Sequence, residues 1–252
     1  MRGVIRQFWV GGAALVLAAP AAGAGLAEGT EQPPGHVYVT SGFDFTSKGG
    51  YFGFVEGTFA PYTDLDTSGL RFSLFGGIGT YRFDSGTPPS RTNAFFTTDD
   101  LMIGYGLERD KLSAKFLVGV NIQQHDLSQP DPTNPVQGTA VGLKVQADIW
   151  TNPTDKTLVY GLASYSTAFN TYYSTLKLGY DVSAGKEIFV GPQFTALVND
   201  RFNELRVGAH LTGPKIGIFD LEFGAGYSYQ TDNGSGAYGA RLRRFSNMNT
   251  TW

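Results

Sequence analysis

Cysteine is absent from the 252 residues, so no disulfide supports this fold and its stability has to come from hydrogen bonding and packing. A basic excess is absent too. The 19 Lys and Arg against 22 Asp and Glu leave a formal charge of −3, which excludes the electrostatic footprint of a nucleic-acid binder. Beyond the N-terminal leader there is no run of about 18 apolar residues, which excludes membrane-spanning helices. Strands escape that test, because in a membrane barrel only alternate residues meet lipid. Methionine is scarce at 3 residues and helix-favouring blocks of Ala, Glu and Lys are few, whereas 34 Gly, 13 Tyr and 19 Phe favour extended chain.

The first 27 residues read as an address. Arg2 and Arg6 supply a positive start, an apolar run extends from Phe8 to Ala19, and small residues offer cleavage after Ala24 or after Ala27. This is the layout of a secretory signal peptide, and its removal with Arg2 and Arg6 takes the formal charge from −3 to −5. Roughly 225 mature residues without an internal linker fit one all-β domain.

Twelve extended segments follow, at about 36–45, 50–60, 69–83, 94–108, 112–125, 138–150, 156–167, 171–182, 187–198, 204–213, 216–229 and 237–245. Most alternate apolar and polar residues over ten or more positions, longer than an ordinary soluble strand. In "GLKVQADIW" (142–150), Lys144, Gln146 and Asp148 share one side while Leu143, Val145, Ala147 and Ile149 share the other. Segments 50–60 and 156–167 alternate less cleanly.

Alternation alone does not distinguish a soluble sandwich from a membrane barrel. Four features favour the barrel. The segments match the 9–11 residues, roughly, that a tilted strand needs to cross the hydrocarbon layer. Their number is even. Longer links such as 84–93, 126–138 and 230–236 alternate with tight turns such as 109–111, 183–186 and the "PK" of 214–215, the outer-membrane arrangement of long external loops and short periplasmic turns. The link 61–69 is longer than this rule prefers, and 46–49 and 168–170 are shorter. Finally, the polar faces carry both charge signs at mid-strand, including Asp44, Glu56, Arg71, Lys115, Lys144, Asp148, Lys177, Asp181, Arg206, Asp220 and Glu222. In a barrel these enclose a wet interior with glycines leaving room for them, and turning Lys144 to the lipid midplane would cost about 2–4 kcal/mol. Aromatics near segment ends (Tyr51, Phe59, Phe95, Trp150, Tyr165, Tyr172, Tyr227, Tyr229) suit interfacial girdles. The C-terminus leaves two readings open: Phe245 ends the last strand and "SNMNTTW" is a polar tail, or Trp252 is the terminal aromatic.

Motifs with chemistry are weak. "DLDTSG" (64–69) begins like a calcium loop, but Phe75 stands where the bidentate Glu belongs, so a polar turn is the expectation. His125, Asp126 and Asp131 lack a fixed ligand spacing and read as a loop cap. His210 shares the polar face with Arg206, where a neighbouring serine would suggest a lipid hydrolase, yet no G-x-S-x-G setting is present. "GGIG" (76–79) and "GAG" (224–226) read as close strand packing, and Arg241, Arg243 and Arg244 as a solvated or lipid-phosphate-facing cluster.

In order along the chain, "SGFDF" (41–45), "GGIGTYRFD" (76–84), "MIGYGLE" (102–108), "DPTNPVQGTAVGLKVQADIWTNP" (131–153), "YSTAFNTYYS" (165–174) and "RVGAHLTG" (206–213) resemble the BcsS-type cellulose biosynthesis proteins of alphaproteobacteria. The resemblance implies a cell-envelope protein associated with cellulose synthesis, with no enzymatic residues to carry over.

The expectation is therefore an all-β chain: a signal peptide (1–27), a short periplasmic linker (28–35), one antiparallel transmembrane β-barrel of about 12 strands (36–245) and a polar tail (246–252). It would sit in the outer membrane of a Gram-negative bacterium without cofactor, metal or catalytic residues. Lipid is the first partner, with cellulose or other secretion components beyond it and no nucleic acid. Residues expected to line the interior are Arg71, Phe75, Lys115, Asn121, Lys144, Gln146, Asp148, Tyr173, Lys177, Arg206 and His210, and the function expected is assistance in glucan export or surface assembly. A general porin, a scaffold, an outer-membrane lipid hydrolase built on His210 and a soluble periplasmic sandwich are the alternatives.

Overall fold

The computed structural model describes residues 35–85, 91–183, 187–217, 219–231 and 234–246, and of residues 241–246 the backbone alone. The leader 1–27, most of the linker 28–35 and the tail beyond Ser246 lie outside the described residues. Twelve strands follow in order: β1 (Val37–Thr46), β2 (Tyr51–Phe59), β3 (Gly69–Asp84), β4 (Arg91–Arg109), β5 (Leu112–Leu127), β6 (Gly138–Thr151), β7 (Thr157–Ser166), β8 (Thr171–Asp181), β9 (Phe189–Val198), β10 (Asn203–Ile216), β11 (Phe219–Gln230) and β12 (Gly234–Ser246). Each pairs antiparallel with its sequence neighbour, and β1 pairs with β12 from Tyr38↔Ser246 to Thr46↔Tyr238. The sheet is thus a closed barrel with no open edge, the one arrangement of strands that satisfies every backbone group in hydrocarbon.

The alternation resolves as a barrel requires. Leu143, Val145 and Ile149 are 66, 52 and 40 % exposed on the outer surface, although no water-soluble protein gains by presenting them. Lys144, Gln146 and Asp148 point inward between them. The same outward apolar register runs through Phe116, Val118, Val120 and Ile122 on β5 and Leu205 and Val207 on β10. Tyr51, Phe59, Phe95, Tyr172, Tyr227 and Tyr229 are exposed near strand ends, where girdle aromatics belong. Trp150 is a correction to that set. It shares its parity with Lys144, so it lies on the inner wall against Tyr160 (ring centroids 5.9 Å) and donates to Asn152 Oδ1 at 3.2 Å. The apolar belt dips on β4, where Thr97 and the exposed Asp99 occupy outward positions above Leu101.

Two segments that alternate poorly in sequence alternate well in space. On β2 the inward positions include the rings of Phe52 and Phe54, and on β7 they include Leu158, buried to 1 % exposure, so apolar residues occupy both faces. Strand ends also move. β3 and β4 run to Asp84 and from Arg91, and β12 begins at Gly234, shortening the links expected at 84–93 and 230–236. The "PK" turn is overturned: Pro214 and Lys215 lie inside β10, and the chain reverses at Gly217, whose φ of +61° suits glycine. Pro214 is tolerated because β10 pairs with β9 only as far as Thr212↔Phe189, and its pairing with β11 slips between Thr212 and Lys215. At the C-terminus β12 is described as far as Ser246, and the choice between the two readings lies outside the described residues.

The barrel interior as candidate functional site

The inward residues fall into two unlike walls. On β8 to β12 and the adjoining β1 the wall is ionic. Arg206 donates to Asp44 Oδ2 at 2.5 Å and Glu204 Oε2 at 2.9 Å, and Gln230 donates to Glu204 at 3.1 Å. Lys177 donates to Glu222, both side chains being 5 % exposed, and its ammonium lies 4.9 Å from the centre of the Tyr160 ring. Glycines make space for large neighbours: a Cβ at Gly208 would fall 2.5 Å from the Tyr238 hydroxyl, and one at Gly224 2.9 Å from Gln193 Oε1. Tyr173 points into the same wall near Arg206 and Asp44 yet is 39 % exposed, so open space lies beside it in the barrel centre.

With the end of the barrel that carries the links 60–68 and 110–111 taken as the lower one and the opposite end as the upper, ion pairs recur on β2 to β6 lower down. Lys115 sits 3.3 Å from Glu56 Oε1 and 3.4 Å from Asp148 Oδ2, Ser73 donates to Glu56 at 3.0 Å, and Gln146 hydrogen-bonds Asp148. Lys144 donates to Asp100 at 2.5 Å, and Asn121 donates to the same carboxylate at 2.7 Å while accepting from Ser166 at 2.7 Å. Each charge here has a partner, as enclosed charges must.

Above them the wall turns aromatic. Phe75 stacks on Phe54 with centroids 5.5 Å apart and on Phe52 at 6.4 Å, with the Lys144 ammonium 5.5 Å from its ring centre. Phe52 continues to Phe96 at 5.5 Å and 6°, Phe96 to His125 at 5.4 Å and 10°, and His125 to Phe169 at 5.1 Å edge-on. Tyr81 joins Phe96 at 5.8 Å and Phe202 at 6.0 Å. Register explains the row. Gly79 stands between Phe52 on β2 and Phe96 on β4, and a Cβ there would fall 2.7 Å from Phe96 Cε1; one at Gly77 would fall 2.5 Å from Phe52 Cζ. The "GGIG" stretch therefore lets rings from both neighbouring strands lie across the β3 backbone.

One mouth has a link folded against its rim, and the other is crossed by chain. Below, Arg71 is buried but does not line open space: its guanidinium donates to Thr63 Oγ1 (3.2 Å), Leu65 O (3.2 Å) and Thr67 O (2.5 Å), folding the long link 60–68 against the barrel. The backbone carbonyl a calcium loop would need at its seventh place, Leu70 O, accepts from the same guanidinium at 3.1 Å, and Asp64 faces His36 at 3.5 Å. Above, Arg201 donates to Asp84 O at 3.2 Å and lies 5.6 Å from the Phe83 ring centre, so the β9–β10 turn reaches over to β3. Of the histidines, His125 is buried with Nδ1 3.1 Å from the Tyr81 hydroxyl, while Asp126 points outward to Gln124 and Asp131 bonds Thr133; the three do not converge. His210 is inward, with Nδ1 at 2.9 Å from Thr212 Oγ1 and Nε2 at 3.1 Å from Leu178 O, both nitrogens engaged. Phe52, Phe54, Phe96, Phe169 and Phe202, which the sequence reading did not single out, join the nominated Phe75 in one row; "GGIG" was the available signal.

A closed antiparallel barrel with an apolar outer belt and a charge-paired interior defines the class of transmembrane β-barrels. Residues 39–245 match the family model described as cellulose biosynthesis protein BcsS, and the chain belongs to that family. No curated protein matches it. Among solved structures it is similar to LpxR from Salmonella typhimurium (11 % identity, TM-score 0.48, covering 83 % of this chain and 100 % of that one). It is also similar to a KdgM porin in complex with disordered oligogalacturonate (9 %, TM-score 0.46, 84 % and 99 %) and to the translocator domain of autotransporter NalP from Neisseria meningitidis (13 %, TM-score 0.43, 84 % and 87 %).

Proposed function

We propose that this protein is a non-catalytic outer-membrane barrel that assists export or surface assembly of the cellulose glucan. One conjunction carries the reading: the residues that match the cellulose-biosynthesis family are the residues that build a closed barrel with a lipid-suited exterior. A glucan is neutral, so its partner needs aromatic faces and hydrogen-bonding groups in place of a strong field. The interior supports this, with its charges paired and one wall lined by rings. The test is a strain lacking the gene, scored for surface cellulose by dye binding and for glucan polymerised within the cell. Surface cellulose should fall and return on complementation; unchanged surface cellulose would contradict the proposal.

A scaffolding role without a continuous pore has its own support, because the β9–β10 turn reaches across one mouth to β3 and the link 60–68 folds against the rim of the other. Purified protein in a planar bilayer distinguishes the two forms: steady conductance that responds to cello-oligosaccharides favours a conduit, and its absence favours a scaffold. The hydrolase alternative loses ground because both nitrogens of His210 are engaged by Thr212 and Leu178. An envelope lipid-cleaving activity lost in His210→Ala would restore it.

A further inference from the structure

We infer that the aromatic row from Phe54 to Phe169 is a binding track for a neutral β-linked glucan chain. The inference rests on the glucan-handling reading above and adds to it the place and the chemistry of contact. Four observations carry it.

First, the row is continuous. Phe54, Phe75, Phe52, Phe96, His125 and Phe169 follow one another with centroid spacings of 5.1 to 6.4 Å, rising from mid-barrel to the upper turn. Second, the rings lie over glycine: Gly77 and Gly79 carry no side chain where the tips of the Phe52 and Phe96 rings come to rest, which lets rings from neighbouring strands meet. All the rings of the track except the His125 imidazole, which is buried, keep part of their surface open. Third, the cations near the track are paired with carboxylates and the balance is negative. Lys144 beside Phe75 is tied to Asp100, and each three-membered cluster, Glu56–Lys115–Asp148 and Asp44–Arg206–Glu204, has one carboxylate in excess. An anionic polysaccharide meets no unpaired cation here. Fourth, the opposite wall is polar and leaves open space. Tyr173 is 39 % exposed toward the centre, while above it Thr171 meets Gln123 of the aromatic side directly at 3.2 Å.

A β-linked glucose unit matches this two-sided space. Its hydroxyls are equatorial, so the ring faces present C–H groups that suit the negative face of an aromatic ring, while the edges need hydrogen-bond partners. An α-linked glucan coils and presents its faces in turn, so it cannot lie along a straight row.

The test is binding of cellohexaose to the purified full-length barrel in detergent, by calorimetry and saturation-transfer NMR, with maltohexaose and trigalacturonate as comparison ligands. Wild type should bind cellohexaose in preference to both. Phe52→Ala with Phe96→Ala should weaken binding about tenfold, and Phe52→Tyr with Phe96→Tyr should keep it within about twofold. Phe169→Ala, in the turn and not in a strand, should weaken it about threefold and stands in if the strand variants fail to fold. No cellohexaose binding by wild type, or equal binding by the alanine variants that retain the heat-dependent gel shift of a folded barrel, overturns the track. A strain lacking the gene that loses surface cellulose while the protein binds no cellohexaose leaves the broader reading standing without the track; unchanged surface cellulose removes the broader reading itself.

Discussion

The wall made by β2 to β5 and the wall made by β8 to β12 are built from the same alternating strands, and both turn their polar-parity residues inward. One of them fills its upper half with rings laid over glycine, while the other fills its space with ion pairs that reach across intervening strands. The difference separates two kinds of information. Parity decides which residues are inside, whereas the side chains facing across one or two strands decide what the inside is for. In the ionic wall, Lys177 on β8 reaches Glu222 on β11, and Arg206 on β10 reaches Asp44 on β1. Such links stitch the wall together. In the aromatic wall the equivalent positions are left as ring surface.

The sharpest way to break the contrast is to remove one member of the most enclosed pair. Lys177→Ala leaves Glu222 buried without its ammonium and should destabilise the folded barrel by about 3–5 kcal/mol, measured as urea unfolding in detergent. Lys177→Met with Glu222→Leu should recover most of that loss, since well-packed apolar groups replace a buried pair at little cost. Val118→Arg on the lipid belt should lose about 2–4 kcal/mol, while Gln146→Arg, inward on the adjoining strand, should leave stability nearly unchanged. On the aromatic wall, Gly79→Val pushes on Phe96 and on Tyr51 O and should lose about 1–3 kcal/mol. At the small end stands Asp155 in the β6–β7 turn. A hydrogen bond from Lys111 at 2.6 Å holds its carboxyl below the usual carboxylate range. What the pair contributes is therefore present at neutral pH and lost as the pH falls through that depressed value. The side chain is fully exposed, so Asp155→Asn should leave the unfolding midpoint unmoved.

Much of this architecture was legible in the chain. Leu143 and Lys144 declared their faces by parity, and the twelve segments with their antiparallel order followed from alternation and link lengths. Four features were not legible, each for a physical reason. Pro214–Lys215 resembles a turn, and only the missing β9 partner beyond Thr212 lets a strand run through proline. Trp150 sits at a strand end as girdle residues do, but strand ends have two faces, and its shared parity with Lys144 turns it inward. The aromatic row was hidden most deeply. Phe52 and Phe96 are separated by more than forty residues, and they meet because register sets both beside Gly79; nothing local to either phenylalanine announces the other. The crossing of the upper mouth by Arg201 escaped for the same reason, its acceptor being the Asp84 carbonyl far back in the chain.

Everything rests on lipid outside and water within, and the missing cysteine makes that directly measurable, since there is no native thiol to remove. Single cysteines at Val141, Leu143, Val145, Thr98 and Gln146, spin-labelled in liposomes, would be scored for relaxation by oxygen, which concentrates in lipid, and by a water-soluble nickel chelate. The labels at Val141, Leu143 and Val145 should be oxygen-accessible and shielded from nickel, with those at Thr98 and Gln146 showing little oxygen access. The opposite pattern, or no difference between the two sets, would contradict the barrel's place in a membrane.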